Sequence, residues 1–590
     1  IGSMEVPLPR SDLLPQLLPD ALFTKVQLEL ARSGGGASVV KALDDLDDAI
    51  RALSVTRNAL QDEESKLLLL GAQQRIFSLA RALAFREYQR TGEEAWKNKV
   101  FKLSEQDRTI LLKNRLNAYA SLSYSKVPTR VLEREVLLQE ELAVHASDPA
   151  SAAQLHTHEE AYGSFLDSLR REHPTYFAMK YGDQEFGISE VQRELLAPGQ
   201  SLVAYSMADT ALYAVVICRD RADIVRLGAE GVKDLVEQLN TATAKLDQGT
   251  YLRSAHALHE RIFAPVRPLL CGTEIFVIPD GCLHSLDLEL LLAAPSTMAD
   301  MKEHLLIREF TISYLLSAST AIRFKQLDRA KGRGALAMAP GFSDELKQGY
   351  ITATADTNGL DRAFLRHIQQ PFAVRTAREL GDVMSARVMV GAEATEARFR
   401  AMAEKYGIIH LGTHTEINNA SPLYSKLVLS KQLDGDGDGD GYLHAYEIYE
   451  MQLGAELAVL TACGTGSGRF ENGEGVRSLA HGFAYAGCPS LVMSLWNIDE
   501  KTSGEIIAGF YRYLAEGYPK NAALRQAKLD YLDGASEELS APYYWAGMVL
   551  VGDVAPVHLE GDHRSWWPIA LGLCIVVGLL WWWRRSRRSP

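Results

Sequence analysis

Cysteine is scarce in this chain: six stand among 590 residues, at 218, 271, 282, 463, 488 and 574, and no two form a C-x-x-C pair. Their scatter excludes a zinc knuckle, argues against a disulfide framework, and leads us to expect a reducing compartment. Positive charge is also short. The net charge is −13, and −17 once the four arginines of the tail beyond residue 565 are set aside. Such an acidic body is a poor match for a phosphate backbone, so no nucleic-acid partner is expected. Glu5, Pro7, Pro9 and Arg10 interrupt any charged-then-apolar leader after Met4, so no secretory signal is expected either.

What is present is enough material for roughly three to four domains. Residues 4–184 read as helical. Apolar residues recur at three- and four-residue spacing over 40–60, 67–89, 105–122 and 131–145, broken by Gly34-Gly35-Gly36, Thr91-Gly92 and Lys126-Val127-Pro128. With no fixed repeat period, an irregular bundle is expected rather than a tetratricopeptide array. From about residue 198 the pattern becomes α/β. Short strands are expected over 201–206, 211–218 and 274–278, with helices over 231–246 and 252–269. A second α/β unit begins near Gly334, with apolar strands over 335–339, 385–390, 407–411, 426–429, 457–461 and 490–495. Helices are expected over 396–405, 475–486 and 501–516. Continuous apolar strands between helices are those of a parallel sheet covered on both faces.

His414 and Cys463 each follow one of these strands. Ligand sites in parallel sheets form beyond the strands' carboxyl ends, so both residues are expected at one edge. A thiol is only a few per cent thiolate at neutral pH and needs an imidazole to deprotonate it and later protonate the leaving amine. Histidine first, about 50 residues ahead of cysteine, is the caspase pattern. His410, inside its strand, reads as a core histidine. Gly464, Gly466 and Gly468 do not complete a phosphate-cradling motif, because Arg469 stands where a third glycine is needed.

Several segments in order resemble the CHAT-domain family, caspase-like peptidases related to separases and caspases. They are Ile278-Pro279-Asp280-Gly281-Cys282-Leu283-His284-Ser285, His410-Leu411-Gly412-Thr413-His414, Val459-Leu460-Thr461-Ala462-Cys463, Gly473-Glu474-Gly475, Ser494-Leu495-Trp496, and Tyr543-Tyr544-Trp545-Ala546-Gly547 near Gly552-Asp553. The resemblance spans about 185–553. It implies an α/β caspase-like fold with a degenerate half (185–330) and an active half (331–553), His414 as general base and Cys463 as nucleophile. Thr415 stands where the family usually has glycine, and Gly464 where it usually has glutamate; backbone N–H groups at Thr415 and Gly464 are the expected oxyanion donors. Relatives that favour a basic residue before the cut need an acid in the pocket, and Asp499 is the candidate, with helix capping as its alternative role.

Between the histidine and the cysteine lies an acidic run that fits an EF-hand loop over 434–447. Asp436, Asp438 and Asp440 take positions 1, 3 and 5, Gly441 the turn, Tyr442 the carbonyl position, His444 position 9 and Glu447 position 12. Asp434 adds a fifth carboxylate. Calcium is therefore the expected cofactor. The following helix, expected over 444–452, would carry its effect into the strand that presents Cys463. Gly441 to Ile448 also matches the family's own Gly-x-Leu-x-x-x-Glu-Ile segment, which gives Glu447 a second explanation.

Residues 566–583 carry no charge and are flanked by Trp566-Trp567 and Trp581-Trp582-Trp583. As a helix the run is about 27 Å long, near the hydrocarbon thickness. A single C-terminal transmembrane helix in contact with membrane lipid, with a cytoplasmic catalytic body, is the expectation. The function expected is a membrane-anchored, calcium-activated caspase-like cysteine endopeptidase cutting protein substrates after a basic residue. By family analogy the target is a pore-forming, cell-death or antiviral effector protein. The alternative is a non-catalytic scaffold whose calcium loop controls docking.

Overall fold

A computed structural model describes residues 18–32, 39–59, 63–122, 127–146, 152–173, 176–177, 186–208, 211–327, 331–354, 360–433, 439–471 and 475–557. The N-terminal region is helical as its periodicity predicts, with helices Leu18–Arg32, Val39–Ala59, Glu63–Thr91, Glu94–Gln106, Ile110–Leu122, Thr129–Ala146 and Ala152–Glu172. The helix expected over 105–122 is broken. Thr109 turns the chain with φ +49°, because Asp107 pairs with buried Arg81 at 3.3 Å and the Thr109 hydroxyl meets Ser317 Oγ at 2.8 Å. Tertiary bonds, not local sequence, set that turn. Leu46, Ile76 and Phe101 then share one core with Leu202, Val215 and Phe276.

The strands are β1 (Gln200–Met207), β2 (Ala211–Cys218), β3 (Ala222–Gly228), β4 (Glu274–Ile278), β5 (Thr311–Tyr314), β6 (Ala335–Ala339), β7 (Arg387–Val390), β8 (Ile408–Leu411), β9 (His414–Glu416), β10 (Lys426–Val428), β11 (Tyr442–His444), β12 (Leu457–Leu460), β13 (Arg469–Glu471), β14 (Gly475–Arg477), β15 (Ser490–Ser494) and β16 (Met548–Gly552). Eleven of them make one sheet in the order β3-β2-β1-β4-β5-β16-β15-β12-β8-β6-β7. β1, β4, β5 and β16 run one way, and β15, β12, β8, β6 and β7 run the other. Two parallel blocks therefore meet back to back at the β16–β15 seam. Their carboxyl ends open on opposite edges.

Charge ties the helix Lys520–Gly534 to the first half. Lys528, on the helix Lys520–Gly534, is buried between Glu289 Oε2 at 2.5 Å and Asp287 Oδ2 at 3.6 Å, and the two carboxylates keep it protonated against the cost of burial. Lys520 at the start of the same helix pairs with Asp553 at 2.9 Å.

Four expectations are corrected. No helix among the described residues is long and apolar enough to cross a membrane, so the single-pass anchor and the membrane location built on it fall; the 566–583 run itself lies outside the described residues. Cys218 and Cys271 form a disulfide, which spacing alone could not reveal because the partners are 53 residues apart. The strand at Lys426–Val428 leaves the main sheet for a three-stranded one, β11-β10-β9. The helix expected from Gly475 begins at Leu479, after β14.

Candidate active site

β8 and β12 are adjacent and parallel, with Leu411 opposite Leu460. His414 and Cys463 each lie three residues beyond that matched pair, so the register itself delivers both to one edge. Close packing enforces the path. Gly412 donates its N–H to Met338 O at 3.0 Å, and a Cβ there would stand 3.1 Å from that of Ala373 and 3.2 Å from Thr461 Oγ1. The two segments are tied directly, since the Thr415 hydroxyl donates to the Cys463 carbonyl.

His414 is positioned on three sides. Its ring stacks on His367 with centroids 5.0 Å apart and 19° between planes, and lies 4.9 Å from the ring of Phe342. Its Nε2 bonds the Ile368 carbonyl at 2.9 Å. A carbonyl can only accept, so Nε2 carries the proton and Nδ1 keeps the lone pair of a base. Burial lowers the pKa of His414, with Lys347 adding to the effect and the Ile368 bond opposing it, which favours the neutral ring. Phe342, fully buried, holds φ +49°; a non-glycine residue in that region is strained, and such strain gathers at working sites.

Cys463 is half-buried, and burial pushes its thiol above the ordinary value, with Glu500 adding to the rise. Its Sγ lies 4.0 Å from the Ile498 carbonyl, and no hydrogen bond joins it to His414 among the described residues. A cavity of about 30 Å³ beside the sulfur is lined by Gln370, Thr461, Ile498, Glu500 and Ser503, among others. The Cys463 loop is clamped from β15: Ser494 Oγ donates to the Ala462 carbonyl, and Thr465 N–H donates to Ser494 Oγ at 3.2 Å.

Of the two expected oxyanion donors, the one at Gly464 is already engaged. Gly464 has φ +65° and its N–H donates to Trp496 O at 3.2 Å, so that donor is spent within the fold. Thr415 lies in β9 opposite Leu427. Asp499 caps the helix Glu500–Ala515, accepting from Thr502 N at 2.9 Å. The acid lining the cavity beside the sulfur is its neighbour Glu500, which also accepts from Ala373 N at 2.8 Å.

Of the expected calcium ligands, Asp436 and Asp438 lie outside the described residues. Asp440 Oδ1 accepts from Tyr442 N at 2.8 Å. Glu447 does not fit a bidentate ligand: one oxygen accepts from His444 N at 2.9 Å, and the other pairs with Arg400 at 2.9 Å. His444 precedes the helix Ala445–Glu450, and its ring stacks on Tyr446 at 5.1 Å. Glu396, missed in the sequence because it reads as an ordinary first-turn residue, is buried and accepts from Gly441 N at 3.2 Å. Burial, with Glu447 and Asp440 nearby, pushes its carboxyl up to about 7. In sequence the acidic run falls between the paired strands β10 and β11, and β10 also pairs with β9, Val428 facing His414. Phe342, Val428 and Tyr442 share a small core, so this strand pair backs onto the histidine rather than the cysteine.

The family model of the CHAT domain matches residues 252–553, slightly over half of the chain. The chain belongs to the CHAT-domain family. Tetratricopeptide repeat protein 28 of Homo sapiens is 25% identical over 216 residues, which are 31% of this chain and 8% of that protein, so the chain spans only a small part of that relative. Among solved structures, the Saccharomyces cerevisiae separase–securin complex is similar with a TM-score of 0.43 and 10% identity, covering 91% of this chain and 40% of that one. The Arg-specific cysteine proteinase gingipain R has a TM-score of 0.31 and 9% identity, covering 55% of this chain and 74% of that one.

Within this CHAT protein, Ile368, Phe342 and His367 are site residues that sequence reasoning missed. Ile368 acts through a backbone carbonyl, which no side-chain pattern announces. Phe342 carries a weak signal in Gly341-Phe342, just after a buried strand.

Proposed function

We propose that this CHAT-domain protein is a caspase-like cysteine endopeptidase whose second α/β half is the catalytic unit. The observation that carries the proposal is the equal three-residue offset of His414 and Cys463 beyond paired strands, with the Ile368 carbonyl fixing the tautomer that leaves Nδ1 basic. In the reaction, Nδ1 takes the proton of Cys463 Sγ, and the thiolate attacks the scissile carbonyl carbon. The C–S bond forms, the C–N bond breaks, and the imidazolium returns its proton to the leaving amine. Water, deprotonated by the same nitrogen, then releases the acyl group and restores the thiol. Sγ must first turn from the Ile498 carbonyl toward His414, and catalytic contacts commonly tighten only when substrate binds.

The substrate is a protein, and a basic residue before the cut is proposed from the acid beside the sulfur, with Glu500 better placed than Asp499. By family analogy, an effector of cell death or antiviral response is the substrate class. Calcium dependence is a separable part of the proposal. Asp436, Asp438 and Asp440 would supply carboxylates, whereas Glu447 is already engaged, so no catalytic step runs through the ion. The pseudoprotease reading draws on one observation, the raised thiol pKa with no bond to the imidazole.

Arginyl and lysyl peptide substrates, with parent chain and Cys463→Ala, decide between these readings. Cleavage by the parent alone supports the peptidase, and equal background in both leaves the scaffold. Adding a chelator tests the calcium part. Glu447→Ala is expected to lower stability by about 1 kcal/mol through lost capping while leaving any calcium response intact; loss of that response alone would restore the EF-hand role.

A further inference from the structure

A cavity of about 490 Å³ opens where the two strand blocks meet, and it shares no lining residue with the space beside Cys463. Phe276 of β4, Val551 of β16 and Leu491 of β15 line it from the sheet, and Ala321 and Phe324 line it from the helix Ala318–Gln326. The three strand residues are buried, so the cavity reaches down to the sheet itself. Its volume falls within the roughly 300–1,000 Å³ of small-molecule sites, and junctions between structural units and points where a sheet changes strand direction are where such sites gather.

The chemistry of the lining selects the kind of ligand. Most of it is hydrocarbon, and four charged side chains stand among the described lining residues, Lys325, Lys331, Glu456 and Asp553. Lys331 pairs with Glu456 at 2.8 Å, and Asp553 pairs with Lys520 at 2.9 Å. Lys325 is the cation left over: it is exposed, and its ammonium donates to the neutral Glu194 carbonyl at 3.0 Å. It lies within electrostatic reach of Asp553, whose contact partner is already Lys520. An apolar space with one spare positive charge at its rim matches a molecule with a hydrocarbon body and a single anionic head. A water-sized group takes up about 30 Å³ in a liquid, so the cavity holds on the order of sixteen methylene-sized groups, one long acyl chain rather than the two of a phospholipid.

We propose that this cavity binds one single-chain carboxylate of the fatty-acid class, its chain against Phe276, Phe324 and Leu491 and its head group at Lys325. The ligand touches the first-half helix Ala318–Gln326 and β15 of the second half at once, so binding stabilises the junction of the halves. The proposal is independent of the peptidase reading, because no part of it involves His414 or Cys463.

The test uses the delipidated full chain, with palmitate and hexadecanol each displacing a fluorescent fatty acid below their micelle concentrations. Parent chain is expected to bind one equivalent of palmitate and to bind hexadecanol more weakly. Ala321→Trp fills the cavity and should weaken palmitate at least about tenfold, the loss of two or more buried methylenes; circular dichroism checks its folding. Lys325→Gln alters an exposed side chain and should weaken palmitate about threefold, as for an exposed ion pair, while leaving hexadecanol unchanged. Should Ala321→Trp not fold, Lys325→Gln and the difference between the two ligands decide. Unchanged palmitate affinity in either folded variant, equal affinity of the parent for palmitate and hexadecanol, or the absence of saturable binding would each overturn the site. Uptake without saturation that neither variant changes would mean adsorption elsewhere, as on the uncharged run 566–583.

Discussion

The two α/β halves each carry a cysteine and a histidine near a strand end, yet they treat them differently. In the first half Cys282 and His284 share one turn after β4, where burial pushes the thiol up to about 11 and the imidazole down to about 4. Asp280 in the same turn is committed to Met207 N at 2.6 Å and Gly281 N at 2.9 Å. In the second half the histidine and the cysteine arrive on separate neighbouring strands. Residue type is shared; delivery by two registered strands is not. Nucleophilic chemistry needs two side chains to converge from different directions, and one short turn cannot supply that.

The largest expected effect tests this contrast directly. Cys463→Ala should lower kcat/KM by on the order of 10⁴-fold in peptide cleavage, while Cys282→Ala should leave it nearly unchanged. Equal losses would erase the distinction between the halves. Next in size is the buried charge triad that ties the helix Lys520–Gly534 to the first half. Lys528→Met strands Asp287 and Glu289 without their cation and should lower stability by about 3–5 kcal/mol in urea unfolding. A neutral result would mean that the first half does not support the second through this triad.

Smaller effects sharpen the second half's side of the comparison. Phe342→Leu keeps an apolar side chain in the small core but removes the aromatic ring beside His414, and a kcat loss of about 10²-fold is expected. If activity holds, the ring is only packing. The smallest effect is a shift along the pH axis. The depressed His414 pKa means the base is neutral at pH 7 and activity falls only as acid protonates the ring, so the acid limb of kcat/KM should have its midpoint below the ordinary 6.5. A midpoint above 6.5 would contradict the environment described here.

Legibility followed the physics of each element. β8 and β12 are continuous apolar runs and were readable, as was the edge they share. β9, β11, β13 and β14 are three residues long and make no periodic signal. Asp499 reads equally as a pocket acid and as a helix cap, and its bond to Thr502 N is the capping geometry. Glu447 fits position 12 of a calcium loop by spacing, yet Arg400, 47 residues away, occupies one of its oxygens. The disulfide, the break at Thr109 and the Ile368 carbonyl all depend on partners remote in the chain.

The chain's residues alone determined the helical N-terminal region, the α/β alternation, and the order of histidine before cysteine, because periodicity and spacing are local properties. Only the tertiary structure decided which half delivers its pair from two registered strands, which nitrogen of His414 is basic, and which carboxylates are already engaged. Those outcomes depend on burial and on hydrogen-bond partners tens to hundreds of residues away, and no local pattern encodes them.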